Sequence, residues 1–312
     1  MTRGNSPRDG KDSVKPRVIV VAKRTAYTRF VLEGRDPRAK LLIRKRDPSV
    51  AHWADSHSEH QRTLEAVERV LDRAGVQVLW VWRARAMFDA TDAALVVAVG
   101  GDGTLLAASH SVDSAPVLGV NSAPRSSVGF FCGARRQTFA ARLEEALEGR
   151  AKSVTLTRMK VSVNGSQRSA RVLNEALYAH SSPAATSRYF VQLGKLREEQ
   201  RSSGFWIGPA AGSTAAQRSA GGRVLPLSSR RLQLVVREPY APFGQRYQLL
   251  KRVISPDERL IVKSKMDDAM LWLDGPYREV PVRLGDEVEF AVSDKPLRVL
   301  GLSARRGNTE SG

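Results

Sequence analysis

Only one cysteine, Cys132, occurs in the chain. An internal disulfide framework is thereby excluded, and so is any metal centre built on clustered thiolates. Long apolar runs are equally scarce. Stretches such as Ala93–Val99 fall far short of the roughly 20 residues that a membrane-spanning helix needs. No apolar stretch precedes Val18, which argues against a secretory leader. A cytoplasmic protein with no membrane partner is expected from these absences. Helix-turn-helix and zinc-finger spacings are also missing, and the basic residues are not interleaved with the aromatic motif of an RNA-binding sheet. No specific nucleic-acid partner is expected.

Acidic residues are in deficit, 32 Asp and Glu against 50 Lys and Arg, for a net charge of +18. The excess is uneven: residues 1–46 hold fourteen basic and four acidic side chains. The plainest account is a solvated tail with an Arg-rich surface, but a positive field also suits a site that gathers phosphate-bearing ligands. A length of 312 residues with 42% hydrophobic content leaves room for a sizeable core and makes two domains the natural expectation.

Residues 1–16 are polar and basic and read as a disordered tail. Residues 17–150 alternate between strand and helix patterns. Arg17–Ala22, Val76–Val81, Ala93–Val99 and Val117–Val120 read as strands, the continuous β-branched runs suiting a sheet buried on both faces. A helix capped by Ser56 or Ser58 runs to Ala74 and stops at Gly75; others are expected at Thr104–His110 and Thr138–Glu148, with a short one starting at Arg83–Met87. Residues 32–50, charged and holding two prolines, read as a mobile loop with room for one short turn. This is the pattern of a doubly wound α/β domain. From 151 to 312 the chain reads as short strands separated by turns: Ser153–Ser162, Ser169–Ala179, Tyr189–Leu193, Gly204–Ile207, Arg231–Arg237, Arg259–Lys263, Ala269–Leu273, Glu279–Val282 and Glu287–Val292. Asn164-Gly165 and Asp274-Gly275 are hairpin signals. A mostly antiparallel β-sandwich domain is expected, its last residues returning to the first domain.

The chemistry-bearing segment is Gly100-Gly101-Asp102-Gly103-Thr104, directly after the third buried strand. Glycines let backbone N–H groups approach an anion closely, and a helix N-terminus adds a favourable dipole. Open α/β sheets bind ligands beyond the carboxyl ends of their strands, where this loop falls. Asp102 is the one ionisable group in the turn, placed to act as a general base or to help hold Mg²⁺. The loop lacks the Lys-Ser/Thr pair of a Walker loop and the third glycine of a dinucleotide fingerprint. Taken alone, Gly-Asp-Gly also fits a plain strand–helix connection.

The whole string resembles the phosphate loop shared by NAD kinases, diacylglycerol-type lipid kinases and phosphofructokinases. A second cluster separates these. Gly212-Ser213-Thr214-Ala215-Ala216 with Ser219-Ala220-Gly221-Gly222 resembles the NAD kinase string Gly-Ser-Thr-Ala-Tyr and its downstream Ser-Ala-Gly-Gly. Arg201-Ser202-Ser203-Gly204 is similar to Arg-Ser-Asp-Gly, and Asn174-Glu175 to the dinucleotide-binding Asn-Glu/Asp pair. Leu118–Asn121 and Val128–Phe131 match Gly-Ile-Asn and Leu-Gly-Phe-Leu. The order and spacing of all these pieces agree from about residue 17 to residue 301.

The resemblance implies transfer of the γ-phosphoryl group of ATP to the 2′-hydroxyl of the adenosine ribose of NAD or NADH. Asp102 would take the hydroxyl proton, Gly100, Gly101, Gly103 and Thr104 would cradle phosphates, and Mg²⁺ or another divalent cation, with no protein ligand set assigned, would neutralise charge. Asn174, Glu175, Arg188, Arg201, Ser203, Thr214, Ala215, Ala216 and Ser219 would hold the dinucleotide. A homo-oligomer, dimer or tetramer, is also implied. Three departures from the family pattern bear on the acceptor pocket: Ser203 stands for Asp, Ala216 for Tyr, and Ala210-Ala211 for Pro-Thr. They leave NAD against NADH open, and ATP against polyphosphate as donor is open as well. Two other readings stand beside this one: a kinase of the same fold acting on a lipid hydroxyl, and a non-catalytic nucleotide-binding relative.

Overall fold

The computed structural model describes residues 15–82, 86–242 and 246–302. The tail expected over 1–16 and the start of a short helix at Arg83 fall almost wholly outside these residues. Met87 and its described neighbours are not helical.

The first sheet grows from apolar runs. Strands β1 (Arg17–Ala22), β2 (Gln77–Val81), β3 (Leu95–Gly100) and β4 (Val117–Asn121) pair in parallel in the order β2-β1-β3-β4, with the two-residue β5 (Ala134–Arg135) also on β4. β3 and β4 are buried at every position, as a parallel sheet covered on both faces requires. Helices α1 (Pro37–Arg44), α2 (Trp53–Ala74), α3 (Asp102–Ser109) and α4 (Phe139–Leu147) occur among these strands. Leu64, Val67 and Leu71 of α2 and Phe139 and Leu143 of α4 pack on one face of the sheet, against Val18, Val20, Val97 and Val99. Leu105 and Ala108 of α3 pack on the other, against Ile19, Val21, Val96 and Ala98.

Residues 32–50 depart from the expected loop. A π-helical turn spans Thr28–Glu33, α1 follows, and a 3₁₀ turn spans Pro48–Val50. Both prolines sit at helix starts, where a missing N–H costs nothing. Asp36 caps α1 by accepting from the N–H of Arg38 at 2.8 Å and of Ala39 at 3.3 Å, and Asp47 accepts from Ser49 N–H at 2.9 Å. α2 begins three residues before Ser56, whose hydroxyl bonds to Ser126 instead. Gly75 ends α2 at φ 63°, a left-handed terminus that favours glycine.

The remaining strands are β6 (Ser153–Leu156), β7 (Met159–Val163), β8 (Ser166–Val172), β9 (Ala176–His180), β10 (Ser187–Leu193), β11 (Leu196–Ser202), β12 (Phe205–Pro209), β13 (Leu232–Val236), β14 (Lys251–Ile254), β15 (Leu260–Ser264), β16 (Ala269–Leu273), β17 (Glu279–Val282), β18 (Glu287–Val292) and β19 (Leu297–Leu300). Two antiparallel sheets, ordered β11-β10-β15-β18-β7-β8 and β14-β13-β12-β9-β16-β17, bury one core that includes Tyr178, Tyr189, Phe205 and Phe290. β19 pairs in parallel with β4 and antiparallel with β6, so both lie in the first sheet. The single strand expected over Ser153–Ser162 is therefore two, in different sheets. The one expected over Ser169–Ala179 is also two, parted by a turn at Leu173–Glu175. β11, β14 and β19 carry no clean apolar alternation and were not expected from pattern. At the β7–β8 hairpin, Asn164 and Gly165 have φ of 50° and 74°, the geometry of a two-residue turn with both central residues left-handed.

Candidate active site

β3 ends at Gly100 and α3 begins at Asp102, so the glycine loop is the strand-to-helix turn that its composition implies. A Cβ on Gly100 would lie 2.1 Å from Thr104 Oγ1, so this position has room for glycine alone. Gly103 faces open space. The loop borders a cavity of about 590 Å³ lined by Lys23, Arg24, Arg29, Asp102, Thr104 and Ser127, among others.

The Asp102 carboxylate is held from behind. Its Oδ2 accepts from Phe130 N–H at 2.9 Å and its Oδ1 from Phe131 N–H at 2.7 Å. The stretch Val128–Phe131 thus supplies the two amides that aim the acid. Gly129, at φ 63°, makes the turn, and a Cβ there would strike Asn121 Nδ2 at 2.3 Å. Asn121 holds the same loop by donating to Ser127 O at 2.9 Å.

Three cations line the same cavity as Asp102, none of them singled out by motif. Lys23 follows β1 directly, and burial holds its ammonium below the usual lysine range. Arg24 pairs with Glu33, while its buried Nε has no partner among the described residues. Arg29 lies over the Phe30 ring at 5.0 Å. Behind Lys23, His60 bonds Ser122 Oγ at 2.8 Å. Burial, with a smaller contribution from the charge of Lys23, pushes His60 down to about 4, so its imidazole is neutral at physiological pH. The sequence signal for Lys23 was its place at the end of a parallel strand next to the glycine loop.

The second cluster meets the Asn174-Glu175 turn directly. A Cβ on Gly212 would lie 1.8 Å from Asn174 O, and Gln217 Nε2 donates to the same carbonyl at 3.3 Å. Ala210–Thr214 form a 3₁₀ turn, followed by a four-residue helical turn, α5 (Ala216–Ser219). Ser213 is spent on structure: its hydroxyl donates to Ala210 O and accepts from Leu225 N–H. Asn174 Oδ1 and Glu175 Oε2 are buried acceptors with no hydrogen-bond partner among the described residues. Such atoms are costly unless a donor reaches them, and ribose hydroxyls or an adenine amine are donors of the right kind. Burial, reinforced by the charge of Asp274, pushes the Glu175 carboxyl up to about 8.

The other dinucleotide candidates are dispersed. Thr214 and Ala215 continue from Gly212, half-buried. Ala216 and Ser219 line an open cleft of about 550 Å³ with Trp206 and Arg237. Ser203 lines a smaller one of about 280 Å³ with His180, Arg237 and Trp272. Arg188 and Arg201 are exposed cross-strand partners on β10 and β11, and the structure does not bring them to the Asp102 cavity.

The family model for the ATP-NAD kinase N-terminal domain matches residues 43–151. A probable NADH kinase of Oryza sativa subsp. japonica is 34% identical over 278 residues, covering 82% of this chain and 85% of the rice protein. The chain belongs to the NAD kinase family. Family resemblance extends to the NADH kinase of Arabidopsis thaliana, 34% identical with 83% and 88% of the two chains covered, and to the NAD kinase of Methanosarcina mazei, 32% identical with 67% and 70% covered. The fold is that of solved NAD kinases. The Archaeoglobus fulgidus enzyme in complex with ATP superposes with a TM-score of 0.64 at 21% identity, covering 91% and 92% of the chains. Yeast NADH kinase complexed with NADH superposes with 0.69 at 14%, covering 96% and 89%.

Proposed function

We propose that this member of the family catalyses ATP-dependent phosphorylation of the 2′-hydroxyl of the adenosine ribose of NADH or NAD. The observation that carries this reading is Asp102, fixed by two backbone amides at the rim of a cavity lined by Lys23, Arg24 and Arg29. A carboxylate that shares a cavity with three cations suits in-line phosphoryl transfer. The cations hold the triphosphate, and the carboxylate takes the proton of the attacking hydroxyl. Glycines in the loop let backbone N–H groups approach phosphate oxygens closely. Asn174 and Glu175 accept from the ribose or adenine of the acceptor. The names of the rice and Arabidopsis relatives favour NADH as one acceptor.

No group of three or more His, Cys, Asp or Glu side chains that would hold a metal exists among the described residues. Among the described residues that line the cavity, Asp102 is the one carboxylate, a donor set suited to a divalent cation that arrives on the triphosphate. When bound, such a cation neutralises phosphate charge. Trp206, Leu177 and Trp272 form one half-buried cross-strand row on β12, β9 and β16, an apolar strip that supports a homo-oligomer. No described helix is long and apolar enough to cross a membrane, and the single cysteine supports a reducing compartment such as the cytoplasm.

The test is direct. The purified chain is incubated with ATP, Mg²⁺ and NADH or NAD, and the 2′-phosphorylated dinucleotide is sought by mass spectrometry. Product is expected with at least one acceptor; none with either would overturn the reading.

A further inference from the structure

The C-terminal end of α3 is gripped by the β-rich half of the chain. Arg158, fully buried at the β6–β7 junction, donates from Nη1 to Ser109 O and Val112 O, both at 2.9 Å. Arg171 donates to His110 O at 3.1 Å and is itself held by both oxygens of Asp113. Cations at this end of a helix are favourably placed against its dipole. The side chain of His110 makes the third tie, its Nε2 lying 2.8 Å from Asp274 Oδ2, with the two side chains 4% and 1% exposed.

Asp274 does more than meet His110. Its carboxylate accepts from Leu173 N–H at 2.8 Å, Asn174 N–H at 2.6 Å and Glu175 N–H at 3.2 Å. Its own N–H donates to Glu175 O at 2.9 Å. One buried carboxylate therefore touches both the end of the helix that starts at Asp102 and every amide of the turn that carries Asn174 and Glu175. Leu173 and Ala211 also share a core cluster with Leu105 and Ala108 of α3. Apolar packing of that kind tolerates sliding, whereas a hydrogen-bonded cross-link fixes distance and direction.

We propose that His110 and Asp274 are a positioning pair, holding the Asn174-Glu175 turn in register with Asp102 across α3. Neither touches a reacting atom; they act through the helix and the three amides. This rests on the function proposed above, in which the two ends must meet a donor and an acceptor at once. A displacement of about 1 Å costs about a hundredfold in such reactions.

The experiment uses the full chain with His110→Leu, His110→Gln and Asp274→Asn. It measures kcat, both KM values, and hydrogen exchange of peptides containing residues 173–175. His110→Leu and Asp274→Asn are expected to lower kcat about tenfold or more, with KM for ATP held within about twofold. Exchange at 173–175 should quicken while the sheet cores stay protected. His110→Gln keeps a donor and should recover most of the lost kcat. Wild-type kcat in both damaging variants would overturn the proposal. So would exchange rising equally throughout the chain, unchanged exchange at 173–175, or no rescue by glutamine. Should the leucine variant not fold, Asp274→Asn and the glutamine variant decide the matter. An inactive wild type would sink the proposed reaction instead, and the exchange measurement would still show whether the pair holds the turn.

Discussion

Asp102 Oδ1 accepts a hydrogen bond from the backbone N–H of Phe131 at 2.7 Å, and the neighbouring Phe130 N–H holds the other oxygen at 2.9 Å. The two bonds fix the plane of the carboxylate toward the cavity that Lys23 and Arg24 line. Asp102→Asn keeps one oxygen for one amide and sets an NH₂ against the other. It removes the proton acceptor and also gives up one of the two bonds that hold the Phe130–Phe131 loop. Activity should fall by about 10²–10⁴-fold, with ATP and dinucleotide binding altered far less. Steady-state kinetics with equilibrium binding checks this, and an unchanged rate would remove Asp102 from the role of base.

Lys23 sits where β1 ends, beside Gly100, and no carboxylate pairs with it among the described residues. A charge-assisted hydrogen bond to phosphate contributes about 1.5–3 kcal/mol. Lys23→Ala should therefore raise KM for ATP by about tenfold or more, and Lys23→Arg should lose less. KM for the dinucleotide should move little. If the alanine variant instead weakened the dinucleotide and spared ATP, the cationic wall would belong to the acceptor.

Glu175 gives a pH signature. Its carboxyl, at 4.5 when unperturbed, is pushed to about 8 by burial and then by the Asp274 charge. Between those values the native chain keeps a proton that the unfolded chain has released. The associated stability is whole below about pH 4.5 and is lost as pH rises through about 8. Melting curves from pH 5 to 9 should show the wild type losing ground to Glu175→Gln as pH rises. Parallel curves for the two proteins would show that Glu175 is ionised in the folded chain throughout.

Trp206 faces the cleft that Ala216 and Ser219 line, at the place where an aromatic residue is missing from the loop. A stacked base on an aromatic face is worth about 1–3 kcal/mol. Trp206→Ala should raise KM for the dinucleotide by about tenfold and leave KM for ATP in place. Equal effects on both substrates, or none on either, would exclude this cleft from the acceptor site.

The parts of this protein legible in its sequence are those set by short-range pattern. Continuous β-branched runs mark β1 and β3, because a strand buried on both faces has no polar side to show. The glycine loop is legible because close approach to an anion needs backbone without Cβ, and Gly75 and Asn164-Gly165 because left-handed φ selects few residues. The helix at Pro37 was missed because proline reads as a breaker unless the preceding Asp36 is recognised as its cap. β11 and β14 were missed because their alternation is masked by charge.

What the sequence by itself determined is the parallel core, the phosphate loop, and the residue types available to the acceptor turn. Tertiary structure alone decided which backbone amides aim Asp102, that Lys23, Arg24 and Arg29 share its cavity, and that Arg188 and Arg201 do not. It also turned Asp274, read in the sequence as a hairpin residue and as similar to the family's late Asp-Gly, into the buried acceptor that joins His110 to the Asn174 turn. The physical reason is range. Turn and strand preferences act over a few residues, whereas the bond from Asn174 to Asp274 spans 100 positions and exists only once both halves have packed around α3.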